Sequence, residues 1–190
     1  MWYEEMTTEL TPAIAAIHYE RDFDISGTLR LVVGRLQAEG VKVGGVLQTS
    51  AVLPNQCCAR LFIVDIRTGQ TECISQDRGP GSRGCKLDPR GLAEISHCLA
   101  AAIEERVDLL IINKFGRAES EGGGLLSLIG TAISEGVSIL TTVRQPYTEA
   151  WTLFHGGLAD ALPPRVEAAV QWAHAALDQT STARRLISAA

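Results

Sequence analysis

The segment Val107 to Asn113, VDLLIIN, is a near-continuous run of aliphatic residues and decides the fold class. Such runs are typical of strands that are buried on both faces of a parallel sheet. Asp88 as N-cap and Pro89 at the first helical position predict the helix that precedes it. A second helix, Gly124 to Gly136, separates the run from another apolar strand, Val137 to Val143. Strands that alternate with helices in this way indicate an α/β protein.

The alternation continues in both directions along the chain. Towards the N-terminus we predict a strand over Pro12 to Tyr19, a helix over Ile25 to Gly40, a strand over Val41 to Gln48, a hairpin over Arg60 to Ser75, a glycine-rich loop over Gln76 to Lys86 and a helix over Leu87 to Arg106. Towards the C-terminus we predict a loop over Lys114 to Gly124, a short helix in PYTEAWTLFHGG, a final helix over Pro163 to Asp178 and a loose tail after it. The prediction is one three-layer domain over residues 1–190, with a core at about 12–178 and a mostly parallel open sheet that carries an antiparallel hairpin.

Composition and charge narrow the range of partners. The 190 residues are 46% apolar and 21% charged, which is typical of a globular protein. A net charge of −5 favours neither nucleic acid nor an anionic membrane as a partner. The N-terminal segment is acidic and has no signal-peptide core, so a cytoplasmic location is expected. The five cysteines include no CxxC pair, so reduced thiols are expected and a metal site is not.

Candidate binding residues lie in the loops where ligands of such folds are found. In open α/β sheets these are the loops at the carboxyl ends of the strands, here residues 20–26, 114–124 and 144–148. Residues 76–86 form a further glycine-rich candidate that precedes a helix start. Amides, hydroxyls and cations in these loops predict an anion site. The candidate residues are Ser26, Gly27, Thr28, Arg78, Gly81, Ser82, Arg83, Gly84, Lys86, Lys114, Arg117 and Arg144.

Each candidate loop has a structural alternative. Residues 76–86 equally fit a surface loop with solvated charges, and Arg144 equally fits a solvated loop residue. Lys114 either holds an anion or, with Asn113, only ends the strand. Glu119 either orients a water or a partner side chain, or starts the next helix, where acidic residues are favoured.

Three long segments resemble a known family. ISQDRGPGSRGCKLDPRGLAE, LLIINKFGRAESEGGGL and GVSILTTVR resemble the bacterial domain-of-unknown-function family 2478, with a likeness over roughly Ala13 to Leu162. That family is similar to a divergent branch of the P-loop nucleoside-triphosphatases, which implies a P-loop-like fold. A P-loop reads GxxxxGK[ST]. The corresponding stretch here, HYERDFDISGTL, has Gly27 as its one glycine and no lysine. The P-loop is therefore degenerate.

The missing lysine shapes the functional expectation. Glu20, Asp22 and Asp24 would repel a phosphate, and Asn113 stands where the resemblance implies an acidic metal-holding residue. The first hypothesis is therefore a protein that binds a small anion or a nucleotide with weak or no hydrolysis.

Three alternatives remain open. One is a molybdate- or tungstate-binding protein of molybdenum metabolism, which the resemblance suggests. Another is an active nucleoside-triphosphatase that uses magnesium, with Lys114 or Arg83 in place of the P-loop lysine. The third is an interaction module that forms a homodimer through Trp2, Tyr3 and the last helix.

Overall fold

The computed structural model describes residues 13–52, 59–75 and 88–188, with the side chains of 89 and 181–188 excepted. Seven strands and six helices lie in these ranges. In chain order they are β1 (Ile14–His18), α1 (Ile25–Ala38), β2 (Val43–Val52), β3 (Ala59–Asp65), β4 (Thr71–Cys73), α2 (Pro89–Glu104), β5 (Leu109–Ile112), α3 (Arg117–Ser120), α4 (Leu126–Ser134), β6 (Ser138–Val143), α5 (Thr148–His155), β7 (Ala159–Leu162) and α6 (Val166–Ser188).

The strands form one mixed sheet in the order β4-β3-β2-β5-β6-β1-β7. β2, β5, β6, β1 and β7 run parallel, each to its neighbour. β3 pairs antiparallel with both β2 and β4, so the hairpin forms one end of the sheet. The predicted α/β class, the mostly parallel sheet and the antiparallel hairpin are confirmed.

Helices cover both faces of the sheet, because the central strands carry apolar side chains on each side. All four residues of β5 are buried, as their aliphatic sequence predicts. Leu99 of α2, Ile129 of α4 and Trp151 of α5 belong to the core on one face. Leu29 of α1 and Ala173 of α6 belong to the core on the other face. The predicted three-layer arrangement is therefore confirmed.

The chain leaves two neighbouring strands towards opposite faces. β1 and β6 are adjacent in the sheet, with Ile14 to His18 opposite Ile139 to Val143. The helix after β1 packs on one face, whereas the helix after β6 packs on the other. In open α/β sheets such a switch point opens a crevice at the carboxyl ends of the two strands, and ligands bind there.

Three elements differ from the prediction. β7 is an additional strand, parallel to β1. α3 is a short helix within the segment predicted as a loop. α6 is longer than the predicted final helix, because its backbone continues helically beyond Asp178 to Ser188.

The contact between β2 and β5 depends on a glycine. Gly45 lies opposite Ile111 in this parallel pair and has a positive φ of 102°. A Cβ atom at Gly45 would collide with the carbonyl oxygen of Ile111. Any other residue would therefore force the two strands apart, in addition to the strain of this φ value.

In the described ranges, no helix is both long enough and apolar enough to cross a membrane.

Candidate functional site

The N-terminus of α1, where a P-loop would hold phosphate, is capped by the protein itself. Asp24 is the N-cap, and its carboxylate Oδ1 accepts a hydrogen bond from the backbone N–H of Gly27 at 2.9 Å. The Thr28 hydroxyl donates to the backbone oxygen of Asp24 at 3.1 Å. Ser26, between them, is half-buried. The expected anion donors at Gly27 and Thr28 are thus engaged by Asp24, whose negative charge also opposes an incoming phosphate.

Two predicted cations meet at the carboxyl ends of β5 and β6. Ile112 lies opposite Thr141 in this parallel pair, and the Phe115 N–H donates to the Thr142 oxygen at 2.8 Å. Lys114 and Arg144 therefore leave the sheet side by side, from strands that lie about 5 Å apart. We call these two residues the cation pair.

The cation pair has an electrostatic signature. The Lys114 side chain reaches solvent, but surrounding protein desolvates its ammonium group, and this lowers the pKa of Lys114 below its ordinary value. The positive charge of Arg144 lowers this pKa further, whereas the charge of Glu119 raises it. A bound anion would favour the charged form of Lys114 and relieve the repulsion between the two cations.

Arg144 also lines the crevice at the switch point. This cavity of about 440 Å³ lies between the loop after β1 and the loop after β6, and its wall consists of Tyr19, Glu20, Arg21, Arg144, Gln145 and Pro146. The Tyr19 N–H donates to the Val143 oxygen at 3.2 Å, which holds the two strand ends together. The crevice thus contains two guanidinium groups and one carboxylate. Arg21 was missing from the sequence prediction, although its position in the loop after β1 was the available signal.

Glu119 supports the loop that follows Lys114. Its side chain is 9% exposed, and its two carboxylate oxygens accept hydrogen bonds from the backbone N–H groups of Gly116 at 3.0 Å and Leu125 at 3.1 Å. Both oxygens are therefore used to fix the main chain around α3. This arrangement favours the structural alternative for Glu119 over a role in orienting water.

Replacing Glu119 by glutamine tests that structural role. The amide retains one acceptor but turns its NH₂ towards one of the two backbone donors, so we expect a loss of about 1–3 kcal/mol in the free energy of unfolding. Urea denaturation measures this loss. Glu121→Gln, at an exposed position of the same segment, is the control and should change stability by less than about 0.5 kcal/mol. Equal effects of the two changes would contradict the role assigned to Glu119.

Asn113 and Arg117 are engaged in local contacts. Asn113 is buried, and its side-chain oxygen accepts the backbone N–H of Gln48 in β2 at 3.0 Å. Arg117 lies on the exposed side of α3 and forms an ion pair with Glu121 at 2.7 Å. Within the described ranges, no group of three or more His, Cys, Asp or Glu residues is placed to hold a metal ion.

The remaining candidates belong to the glycine-rich loop. Arg78, Gly81, Ser82, Arg83, Gly84 and Lys86 lie outside the described residues. Their role in anion binding stays a prediction. Of the candidates that are described, Lys114 and Arg144 follow neighbouring strand ends, and Arg144 also donates to the backbone oxygen of Gln145 at 3.2 Å. Gly27, Thr28 and Arg117 have partners in the chain as well.

Two solved structures have the same fold. The solution structure of a human cancer-related nucleoside triphosphatase superimposes with a TM-score of 0.59 and 15% sequence identity, covering 90% of this chain and 96% of that one. The crystal structure of THEP1 from the hyperthermophile Aquifex aeolicus gives a TM-score of 0.55 and 15% identity, covering 80% of this chain and 89% of that one. The fold is therefore P-loop-NTPase-like.

Sequence comparison adds a relative and a family. The chain is 36% identical over 149 residues to the molybdenum import ATP-binding protein ModC 2 of Bradyrhizobium diazoefficiens. This match covers 78% of the chain but 17% of the length of that protein. Residues 14–172 match the family described as protein of unknown function DUF2478. That match spans most of the sequence and agrees with the resemblance of its loop segments. The chain therefore belongs to this family.

Proposed function

We propose that the protein binds a small oxyanion, either free or as the phosphate of a nucleotide, at the carboxyl ends of β5, β6 and β1. The observation that carries this proposal is that Lys114 and Arg144 follow neighbouring parallel strands, close enough for the charge of Arg144 to lower the pKa of Lys114, and that Arg144 lines the crevice at the switch point. Arg21 adds a third cation to the same edge of the sheet. Arginine and lysine are the side chains that proteins use for oxyanions.

Weak or absent hydrolysis is part of the proposal. Phosphoryl transfer depends on positioned phosphates and on a metal ion that neutralises their charge. Asp24 occupies the helix N-terminus that would position the phosphates, and the Asn113 amide is bonded to β2. Both features support binding without efficient turnover.

The named relative supports molybdate or tungstate as a specific ligand. That relative is a molybdenum import ATP-binding protein, and it is 36% identical over the matched segment. A tetrahedral dianion is bound by the same cations and amides as phosphate. Because the match covers 17% of the relative, we extend only the oxyanion chemistry to this chain.

Removing either cation should abolish most of the binding. We expect wild-type protein to bind at least one of phosphate, sulfate, molybdate, tungstate, ATP or GTP, measured by isothermal titration calorimetry with and without magnesium. Lys114→Ala and Arg144→Ala should each weaken that binding about 10- to 100-fold, since a hydrogen bond to a charged group contributes about 1.5–3 kcal/mol. Release of phosphate from ATP should stay near background.

The control removes a cation elsewhere. Arg30 is exposed on α1, and Arg30→Ala changes the net charge by the same amount. Its effect on binding should stay within about twofold, as expected for a solvent-exposed charge. Binding that is equally strong in wild type, Lys114→Ala and Arg144→Ala would refute the site. Rapid hydrolysis of ATP with magnesium would instead support the triphosphatase alternative.

The pH dependence of binding provides a second readout. The pKa of Lys114 lies below its ordinary value of 10.5, because desolvation and Arg144 disfavour the ammonium form. Anion affinity should therefore fall as the pH rises through this lowered pKa, where the ammonium loses its proton. Lys114→Arg should retain affinity over the same range, because a guanidinium stays charged. A fall of the same size in both proteins would exclude Lys114 as its cause.

The remaining predictions concern location and assembly. Trp2 and Tyr3, which the dimer hypothesis uses, lie outside the described residues. A homodimer, a cytoplasmic location and a single domain stay predictions, as does a lack of nucleic-acid and membrane partners. Light scattering of the purified protein tests the dimer.

A further inference from the structure

A second cavity, of about 280 Å³, also has Lys114 in its wall. It lies between β2, β3, α2 and the segment from Asn113 to Leu125. Most of its lining is aliphatic, and the side chains involved are Val46, Leu61, Ile63, Ile74, Leu92 and Ile95. An apolar wall with a few polar groups is typical of a site for a small organic molecule.

The polar groups of this cavity leave one charge for a ligand. Asn113 and Glu119 line the cavity, but the Asn113 side-chain oxygen and both Glu119 carboxylate oxygens accept backbone hydrogen bonds. Arg117 is paired with Glu121. Within the described part of the chain, no carboxylate forms an ion pair with Lys114. Among the described residues of the wall, the Lys114 ammonium is thus the cation that an anionic ligand would meet, and the charge of Glu119 acts on it as well.

We propose that this cavity binds the apolar body of a small organic anion whose anionic group lies at Lys114. The inference rests on the proposed function, since Lys114 belongs to both sites. An inorganic oxyanion alone would leave the aliphatic wall exposed to water, and a neutral apolar molecule would remove water from the Lys114 ammonium without supplying a negative charge. A molecule with an apolar body and an anionic group would cover the aliphatic wall and pair with the ammonium.

The volume of the cavity and the desolvation of Lys114 indicate which kind of organic anion would fit. The cavity volume lies just below the range of roughly 300–1,000 Å³ for small-molecule pockets, so the apolar body is on the order of one or two rings. The desolvation that lowers the pKa of Lys114 agrees with an ammonium next to an apolar wall. A carboxylate, sulfonate or phosphate on the ring system would restore its charged form.

The test compares three probes that separate the two parts of the ligand. 2-Naphthoate carries both parts, 2-naphthamide carries a neutral ring system of the same shape, and acetate carries the anionic group alone. By isothermal titration calorimetry, 2-naphthoate should bind at least tenfold more tightly than either of the others. Equal affinities for 2-naphthoate and acetate, or no binding of 2-naphthoate, would overturn the inference.

Two variants locate the probe in the cavity. Ala118 is an exposed residue of α3 in the cavity wall, so Ala118→Phe fills the space without removing a core side chain. Leu92 is half-buried in α2, so Leu92→Gln makes the wall polar and keeps a good helix former. Each should weaken 2-naphthoate at least tenfold. The control is Leu153→Gln, at a position 78% exposed on α5, and it should leave 2-naphthoate binding unchanged.

The same variants separate this inference from the proposed function. Sulfate and molybdate should respond to Arg144→Ala and change less than twofold in Ala118→Phe and Leu92→Gln. If both cavity variants bind 2-naphthoate as tightly as wild type while Arg144→Ala still weakens the binding of the inorganic anions, this inference is refuted and the proposed anion site is supported. If Arg144→Ala leaves the affinity for the inorganic anions unchanged while Ala118→Phe weakens the binding of 2-naphthoate, the proposed function is refuted and the inference about the cavity is supported.

Discussion

Gly45→Ala is expected to lower the free energy of unfolding by more than about 4 kcal/mol, a loss that exceeds what most single substitutions cause. Gly45 has a φ of 102°, and a Cβ atom there would collide with the Ile111 carbonyl oxygen in the neighbouring strand. The change therefore adds backbone strain to a forced separation of β2 from β5, in the middle of the sheet. Urea denaturation followed by circular dichroism measures the loss, or shows that the variant does not fold.

A matched glycine should respond in the opposite direction. Gly34 lies within α1, and a Cβ atom there would meet nothing within 4 Å. Gly34→Ala should stabilise the protein by about 0.5–1 kcal/mol, since alanine is the better helix former. A loss of less than about 1 kcal/mol in the free energy of unfolding for Gly45→Ala would contradict the close approach of β2 to β5.

The second large effect is expected at Trp151. This side chain is 1% exposed, and its ring lies 5.2 Å from the ring of Phe115 in an edge-to-face arrangement. Trp151→Ala would leave a cavity between α5 and the sheet, at an expected cost of about 3–5 kcal/mol in the free energy of unfolding. The midpoint of urea denaturation reports this cost.

The neighbouring Leu153 provides the comparison for Trp151. Leu153 is on the same helix but 78% exposed, so Leu153→Ala should change the free energy of unfolding by no more than about 0.5 kcal/mol. Similar losses for the two variants would show that α5 does not pack on the sheet through Trp151.

The sequence predicts an element when its residues form that element for local reasons. β5 was predictable because an unbroken aliphatic run fits burial on both faces of the sheet. α2 was predictable because Asp88 accepts the Arg90 N–H and Pro89 follows as its first residue. β7 was missed because its ADAL sequence leaves its two central residues exposed, and it becomes a strand only by pairing with β1. α3 was missed because it has only four residues and depends on a hydrogen bond from the Leu125 N–H to Glu119, a contact that only the folded loop provides.

The candidate site also has parts that the sequence predicts and parts that depend on the folded sheet. The rule that ligands bind at strand ends identified Lys114 and Arg144, and consecutive parallel strands then brought them together. The crevice itself depends on β1 lying next to β6, which no local pattern indicates. Arg21 lies between Glu20 and Asp22. It was not predicted as a binding residue because these neighbours make the loop acidic. The capping of α1 was readable, because an aspartate three residues before Gly27 is a common N-cap arrangement.

The position of β1 in the sheet has a consequence for how the chain assembles. Of the strands that the structure describes, β1 is made first, yet its partners β6 and β7 begin at Ser138 and Ala159, about 120 or more residues later. At a synthesis rate of about 5–20 residues per second, β1 waits roughly 6–24 s before its first partner exists. Until then its backbone donors and acceptors stay unpaired beside an apolar sequence. Contacts of such long sequence separation slow folding, so β1 is exposed to mispairing on the way to the native sheet.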